Sequence, residues 1–291
     1  MAQIPPARYP EAVAGITALQ AHEAPTHRPE CATQFLGHGH PTERVLVFVH
    51  GYANCPQMFA ELARLFHAQG DSALCVPLPH HGLADRLTDD LTHLTAAELA
   101  AYTAQVLELA AGLGQRITVA GLSAGALVAG WAAHTDAGLD QAVLIAPAFG
   151  LKLLPGSLTG LAVRLSLRLK DAFVWWNPAL KEQFAPSYTY PRFSRRGLAQ
   201  TLRFGQMVRG RARRSAPLAR RLVVITNASD QAVDNAVTAQ VVAAWRAHGR
   251  VVETFEFPAS LGLPHNLIDP GETGQRVEVV YPKLAALIGG P

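Results

Sequence analysis

A single serine lies between two glycines where a strand-forming run of this chain gives way to a helix-forming run. Residues 116–120 are rich in β-branched side chains, which favour a strand. The Ala-rich and Leu-rich run that starts at Ala124 favours a helix. Ser123 stands between them, with Gly121 and Gly125 two positions away on either side, where a sharp turn needs small residues. The pattern predicts a strand, a tight turn that carries the serine, and a helix.

The predicted turn places Ser123 at the start of a helix, where backbone N–H groups lack partners within the helix. These groups and the positive end of the helix dipole stabilise negative charge nearby. A plain glycine-rich turn before a buried helix has the same five-residue pattern, so the motif alone does not fix a function. A second motif lies upstream, where the apolar run at residues 44–49 is followed by His50, Gly51 and Tyr52.

With these motifs the chain resembles the α/β-hydrolase superfamily, in particular its bacterial esterase and lipase-like members. The resemblance extends over almost the whole chain and rests on four groups of residues: His50-Gly51-Tyr52, Gly121-Leu122-Ser123-Ala124-Gly125, Asp230, and Leu263-Pro264-His265-Asn266. It implies a catalytic triad of Ser123, Asp230 and His265, in the chain order expected for that fold. It also implies an oxyanion hole made by the backbone N–H groups of Tyr52 and Ala124.

The residue types of this triad fit acyl transfer. A serine hydroxyl is a poor nucleophile at neutral pH, so His265 would accept its proton while a carboxylate orients the imidazole ring. Two aspartates compete for that last role. Asp234 precedes a helix-forming run and suits a helix N-cap. We assign the acid to Asp230, because it lies nearer the end of the strand predicted at residues 222–226.

Short apolar runs alternate with helical segments from residue 44 onward, and 49% of the 291 residues are hydrophobic. Such alternation predicts a mostly parallel sheet with helices on both faces and ligands at the carboxyl ends of its strands. We therefore expect an α/β-hydrolase fold with one core domain formed by residues 1–147 and 216–291. Residues 148–215 are expected to form a helical cap. Residues 1–44 are the least legible part and are expected to pack as an extended arm and an early strand.

The predicted cap is strongly basic: residues 151–221 hold 15 Lys and Arg against 2 Asp and Glu. Within it Leu158, Leu161, Leu165 and Leu169 recur at helical spacing beside arginines. These leucines can pack on the core, receive an acyl chain, or lie on an anionic membrane surface in weak association. The basic run at residues 209–214 lacks interleaved aromatic residues, so we expect no nucleic-acid partner.

The cysteines, the first residues and the lengths of the apolar runs bear on where in the cell the protein is expected. Cys31, Cys55 and Cys75 are odd in number and scattered, so they predict neither a disulfide framework nor a zinc site, and we expect no metal and no cofactor. The first residues lack the basic and apolar regions of a signal peptide. No apolar run is long enough to span a bilayer. We therefore expect a cytoplasmic protein.

The resemblance and the triad together predict a serine hydrolase of carboxylic esters that works through an acyl-enzyme. The expected substrates are esters with short to medium acyl groups or monoacylglycerol-like lipids. Two alternatives remain open. The same triad serves acyltransferases and thioesterases, and a hydrolase-like protein can be a non-catalytic binder of small molecules.

Overall fold

The computed structural model describes residues 8–156 and 158–290. Residues 1–7, on which the absence of a signal peptide was predicted, lie outside the described residues. The strands of the described chain are β1 (Gln34–Leu36), β2 (Thr42–Val49), β3 (Ser72–Val76), β4 (Gly114–Leu122), β5 (Gln141–Ile145), β6 (Phe173–Trp175), β7 (Arg192–Ser194), β8 (Arg221–Asn227) and β9 (Glu253–Phe257). The helices are α1 (Arg8–Glu23), α2 (Ala60–Ala68), α3 (Ala96–Ala110), α4 (Ala124–Thr135), α5 (Thr159–Arg168), α6 (Arg195–Arg214), α7 (Asn235–Ala247) and α8 (Val277–Gly289). None of these described helices is both long and apolar enough to cross a membrane.

Seven strands of the described chain form one sheet, in the order β1-β3-β2-β4-β5-β8-β9. Neighbouring strands run parallel except β1, which is antiparallel to β3. β3 and β5 are buried along their whole length, as continuous apolar runs in a parallel sheet require. The helices lie around this sheet, which confirms the predicted α/β fold class. Ser123, Asp230 and His265 all follow the carboxyl ends of parallel strands.

The amino-terminal segment differs from the expected extended arm, because α1 takes its place. This helix buries Tyr9, Ala12 and Ile16. At its end the Glu23 carboxylate accepts hydrogen bonds from the backbone N–H of Thr33 at 2.6 Å and from its hydroxyl at 2.8 Å. These bonds tie α1 to the chain that leads into β1, which is the early strand expected. α1 itself contains Pro10 and His22, so the composition of the segment gives no clear helical signal.

The segment between β5 and β8 carries α5, the antiparallel pair β6 and β7, and α6. α6 packs on the core helix α4 and buries Phe204 and Val208 completely. α5 contacts α6 and buries Thr159 and Val163. The segment is therefore layered, with α6 on the core and α5 outside α6.

The four leucines at helical spacing along α5 lie on the side away from α6, so of the three alternatives left open for them, packing on the core does not hold. Leu158, Leu161, Leu165 and Leu169 are 49–53% exposed. At 3.6 residues per turn they fall on the face opposite Thr159 and Val163. Because α6 already covers the core, the apolar face of α5 has no partner among the described residues. We call these four residues the leucine stripe.

A disulfide joins Cys31 to Cys55, with their Cα atoms 5.1 Å apart. The expectation of no disulfide is therefore wrong for this pair. Twenty-four positions separate the two cysteines, and their meeting depends on the fold, which brings the chain before β1 beside the loop after β2. Both are fully buried. The third cysteine, Cys75 in β3, is free, and burial raises the pKa of its thiol to about 12.

Candidate active site

Ser123 lies on the turn between β4 and α4, with backbone angles φ 58° and ψ −108°. A residue with a side chain rarely adopts a positive φ, so the turn holds this serine in a strained conformation. The flanking glycines make the turn sterically feasible. A Cβ on Gly121 would lie 2.1 Å from the carbonyl group of Gly125, and a Cβ on Gly125 would lie 1.9 Å from the carbonyl oxygen of Val49. The predicted strand, tight turn and helix are therefore confirmed.

The backbone N–H groups of Ala124, at this turn, and of Tyr52, on the loop after β2, have no hydrogen-bond partner among the described residues. Ala124 is the first residue of α4, so its N–H points out of the positive end of the helix dipole. Tyr52 follows Gly51, whose close approach to the turn leaves only 3.4 Å between an added Cβ and the Cβ of Ser123. Both donors are free to stabilise an oxyanion beside the serine.

His50 shapes the loop that carries Tyr52. Its Nδ1 donates to the Gly51 carbonyl at 2.8 Å, and its Nε2 accepts from the backbone N–H of Leu78 at 2.9 Å. Burial lowers the pKa of His50, and the neighbouring His81 lowers that pKa further. The ring is therefore neutral, with both nitrogens engaged, and it fixes backbone geometry rather than exchanging protons.

Asp230 and His265 are joined by a hydrogen bond of 2.7 Å from Nδ1 of the histidine to Oδ2 of the aspartate. The other carboxylate oxygen accepts the backbone N–H groups of Ala232 at 2.7 Å and Val233 at 3.1 Å. Burial raises the pKa of Asp230, but these bonds and the His265 ring outweigh it, so the net pKa is lowered. Asp234 instead caps α7 by accepting from its own helix, at the N–H two residues on.

Asn227, at the end of β8, was not found by sequence reasoning. Its side-chain amide donates to the carbonyls of Leu263 at 2.9 Å and Pro264 at 3.2 Å, directly before His265. Its oxygen accepts from the Ser229 hydroxyl at 2.8 Å, on the loop that leads to the acid. One buried side chain thus ties together the two loops that carry the Asp–His pair. A lone asparagine at a strand end gives no sequence signal for such a role.

Ser123 and His265 line the same cavity, which has a volume of about 700 Å³. No hydrogen bond joins the serine hydroxyl to the imidazole ring among the described contacts. The cavity walls are mainly apolar, and the segment between β5 and β8 supplies much of them: Leu151, Leu153, Trp176, Phe184, Phe193 and Leu198. Such a cavity suits a ligand with a hydrocarbon part beside the serine.

A model of the alpha/beta hydrolase family matches residues 46–267, a span that includes Ser123, Asp230 and His265. The chain belongs to the α/β-hydrolase family. Its sheet order and the positions of these three residues after parallel strands agree with that membership.

Solved structures resemble this α/β hydrolase over most of its length. One, described as LipS and LipT, two metagenome-derived lipolytic enzymes, is 15% identical and has a TM-score of 0.67, with 90% of this chain and 99% of that chain covered. The monoacylglycerol lipase of Paleococcus ferrophilus is 15% identical, with a TM-score of 0.65 and coverages of 88% and 98%. A soluble variant of the monoglyceride lipase of Saccharomyces cerevisiae is 12% identical, with a TM-score of 0.58 and coverages of 87% and 89%. No curated protein sequence matches the chain.

The side chain of Tyr52 links the serine site of this α/β hydrolase to the segment between β5 and β8. Its hydroxyl donates to the Ser194 carbonyl at 2.9 Å. The Ser194 hydroxyl in turn donates to Asp171 at 2.5 Å, and the same carboxylate oxygen accepts from Thr92 at 2.6 Å. This chain of bonds starts at Tyr52, the residue after Gly51, which packs against the serine turn. The loop that carries Tyr52 is thus tied to the segment that lines the cavity.

Proposed function

We propose that the protein is a serine hydrolase of carboxylic esters. The observation that carries the proposal is the 2.7 Å bond between Asp230 and His265, with His265 on the same cavity as a serine held in a strained turn. A hydrogen-bonded Asp–His pair fixes the imidazole tautomer that a serine nucleophile needs. The unpartnered N–H groups of Tyr52 and Ala124 supply the oxyanion site.

In the proposed reaction Ser123 Oγ attacks the acyl carbon while its proton passes to Nε2 of His265. The carbonyl oxygen becomes an oxyanion that accepts the two backbone N–H groups. As this intermediate collapses, the bond to the alcohol breaks, and His265 returns the proton to the alcohol oxygen. A water molecule then attacks the acyl-enzyme with His265 as base, which releases the acid and restores the serine. Asp230 stays ionised throughout, which its lowered pKa favours.

The proposed substrates are esters with short to medium acyl groups or with a single lipid chain. A largely apolar cavity of about 700 Å³ is large enough for such a chain. Two of the similar structures are of lipolytic enzymes and of a monoacylglycerol lipase, which agrees with this substrate class. Residues 148–215 form the proposed cap, because several of the cavity's apolar side chains come from that segment.

The proposed cap also contacts an anionic membrane surface weakly. Its leucine stripe is half-exposed, and Leu153, which lines the cavity, is 94% exposed. Arg164, Arg168 and Lys170 lie within or directly after α5, close in sequence to the leucines. Exposed leucines beside basic side chains match the apolar interior and negative headgroups of such a surface.

Labelling with a fluorophosphonate tests the proposal directly. The wild-type protein should be labelled on Ser123 alone and should hydrolyse p-nitrophenyl esters, and the Ser123→Ala protein should do neither. A folded wild-type protein that resists labelling and cleaves no ester would exclude the hydrolase and favour a binding protein. A series of p-nitrophenyl esters of increasing acyl length then measures how deep a chain the cavity accepts.

A further inference from the structure

The side of the cavity beside His265 determines which alcohol a substrate can carry. This step rests on the proposed function, in which the ring gives its proton to the oxygen of the leaving alcohol. That oxygen must lie within hydrogen-bonding distance of Nε2 of His265. The alcohol half of the ester therefore extends along the residues that surround this ring, and their chemistry selects it.

Glu272 carries the one carboxylate among the described residues that line the cavity. It lies seven positions after His265, and its Oε2 accepts a 2.7 Å hydrogen bond from the side-chain amide of Asn266, which also lines the cavity. The carboxylate is half-buried in walls that are otherwise mainly apolar. Burial of a charged group among apolar walls costs free energy unless a partner, here a bound ligand, forms hydrogen bonds to it.

The turn that presents Glu272 is held firmly. Asp269, which is fully buried, accepts the Tyr188 hydroxyl and the backbone N–H of Gly271 at 2.9 Å. The backbone N–H of Glu272 donates to the Asp269 carbonyl at 3.1 Å. A Cβ on Gly271 would lie 2.6 Å from the Tyr188 hydroxyl, so the turn packs closely against that side chain. The position of the carboxylate is thus built into the fold.

The surroundings of Glu272 leave its charge only partly stabilised. Burial raises the pKa of Glu272 and the charge of Asp269 raises it further, while the Asn266 hydrogen bond, the His265 ring and the Thr273 backbone lower it in part, so the net pKa is raised. A carboxylate has room for about four hydrogen bonds, and among the described residues Asn266 and the Thr273 backbone supply only part of them. A ligand that brings a further donor would replace the solvation lost by burial.

We propose that Glu272 and Asn266 form an alcohol-side subsite that selects esters whose alcohol half carries a hydrogen-bond donor, as a hydroxyl or an ammonium group. The Glu272 carboxylate accepts that donor while His265 faces the ester oxygen. An ester with an alkyl alcohol leaves the carboxylate without this partner, and an ester with an anionic alcohol half is repelled.

Three esters of one fatty acid test the subsite: the propyl ester, the glycerol 1-monoester and the 2-(dimethylamino)ethyl ester. The readout is the kcat/KM of each polar ester divided by that of the propyl ester. Glu272→Leu should lower both ratios about tenfold or more, since it removes a hydrogen bond to a charged group. Glu272→Gln keeps an acceptor oxygen but loses the charge. It should therefore lower the ratio for the glycerol ester less than the ratio for the dimethylaminoethyl ester.

Glu278→Gln is the matched control, because Glu278 is a 66% exposed carboxylate that pairs with Arg276 and does not line the cavity. Its ratios should equal those of the wild type. Ester cleavage with the same ratios in Glu272→Leu and the wild type would overturn the subsite alone. If Glu272→Leu does not fold, unchanged ratios in the near-isosteric Glu272→Gln overturn it equally. A wild type that cleaves none of the esters and resists fluorophosphonate would overturn the proposed function, and the subsite with it.

Discussion

The two oxygens of the Asp230 carboxylate have different partners, one the His265 ring and the other two backbone N–H groups. An amide in place of the carboxylate keeps the shape but favours the wrong imidazole tautomer. We expect Asp230→Asn to lower kcat on p-nitrophenyl esters by about 10⁴-fold. Asp234→Asn is the control, since Asp234 caps α7, and it should stay close to the wild-type rate. Equal losses in the two variants would mean that the acid is misassigned.

His81 gives the protein a dependence of stability on pH. The ring is fully buried, its Nδ1 donates to the Pro79 carbonyl at 2.8 Å, and its Nε2 has no partner among the described residues. Burial lowers the pKa of His81 to about 4, against about 6.5 in an unfolded chain. Above about pH 6.5 the ring is neutral in both states. Between about pH 6.5 and 4 only the unfolded chain takes up the proton, so stability falls.

We therefore expect His81 to remove about 3 kcal/mol from the free energy of unfolding as the pH drops from 7 to 4. Urea denaturation at both pH values measures the loss. His81→Phe should show a smaller loss on acidification, while replacement of the exposed His40 should leave it as in the wild type. An identical acid loss in His81→Phe and the wild type would assign the effect to other groups.

The sequence predicts single site residues where a local sequence pattern marks their chemistry. Ser123 has flanking glycines, and Asp230 and His265 follow strand-forming runs, so all three can be proposed without a structure. Asn227 and Glu272 cannot be found in this way. Their roles come from hydrogen bonds to loops that are distant in sequence or from the shape of the cavity wall, and neither leaves a local pattern.

The crossing of α4 over the ends of β2 and β4 has no space for even one added carbon at Gly125. We expect Gly125→Ala to lower the free energy of unfolding by about 3 kcal/mol or to prevent folding, because the neighbouring atoms are backbone and cannot move aside cheaply. Thermal unfolding measures the change. Gly289→Ala, at the end of α8 with no atom within 4 Å of the added Cβ, should be neutral within about 0.5 kcal/mol.

The disulfide connects the chain before β1 to the loop that follows β2, and it closes a segment of the chain that includes both strands. Cross-linking residues about this far apart contributes about 3 kcal/mol by restricting the unfolded chain. We expect the Cys31→Ala, Cys55→Ala double variant to lose about that much stability in urea denaturation. Equal stability of the double variant and the oxidised wild type would mean that the bond contributes nothing.

Strands and helices could be predicted from the sequence where burial leaves a clear pattern of apolar residues. The strand predicted at residues 222–226 lies within β8, and the apolar run at residues 44–49 lies within β2, because strands buried on both faces are apolar almost throughout. The helix at α1 was missed because its composition is mixed and its burial is narrow. The helix at α5 was expected, but its orientation was not, since periodicity defines an apolar face without naming what that face contacts.

The whole molecule combines a basic segment with an exposed leucine stripe on one helix. We expect weak co-flotation with phosphatidylglycerol vesicles at low salt, less in high salt, and none with phosphatidylcholine vesicles. Leu161→Asp combined with Leu165→Asp should lower the partition coefficient about tenfold or more. Leu218→Asp is the control, because Leu218 is equally exposed but lies beyond α6. No flotation of the wild type at low salt would rule out this contact.

The burial of Cys31 and Cys55 has a kinetic consequence. A small thiol cannot reach either sulfur atom in the closed structure, so reduction waits until the surrounding chain opens. Cys55 lies three residues after Tyr52, so the rate at which a reductant cleaves the disulfide reports how often the loop after β2 opens. A ligand that binds tightly in the cavity would lower this rate of reduction.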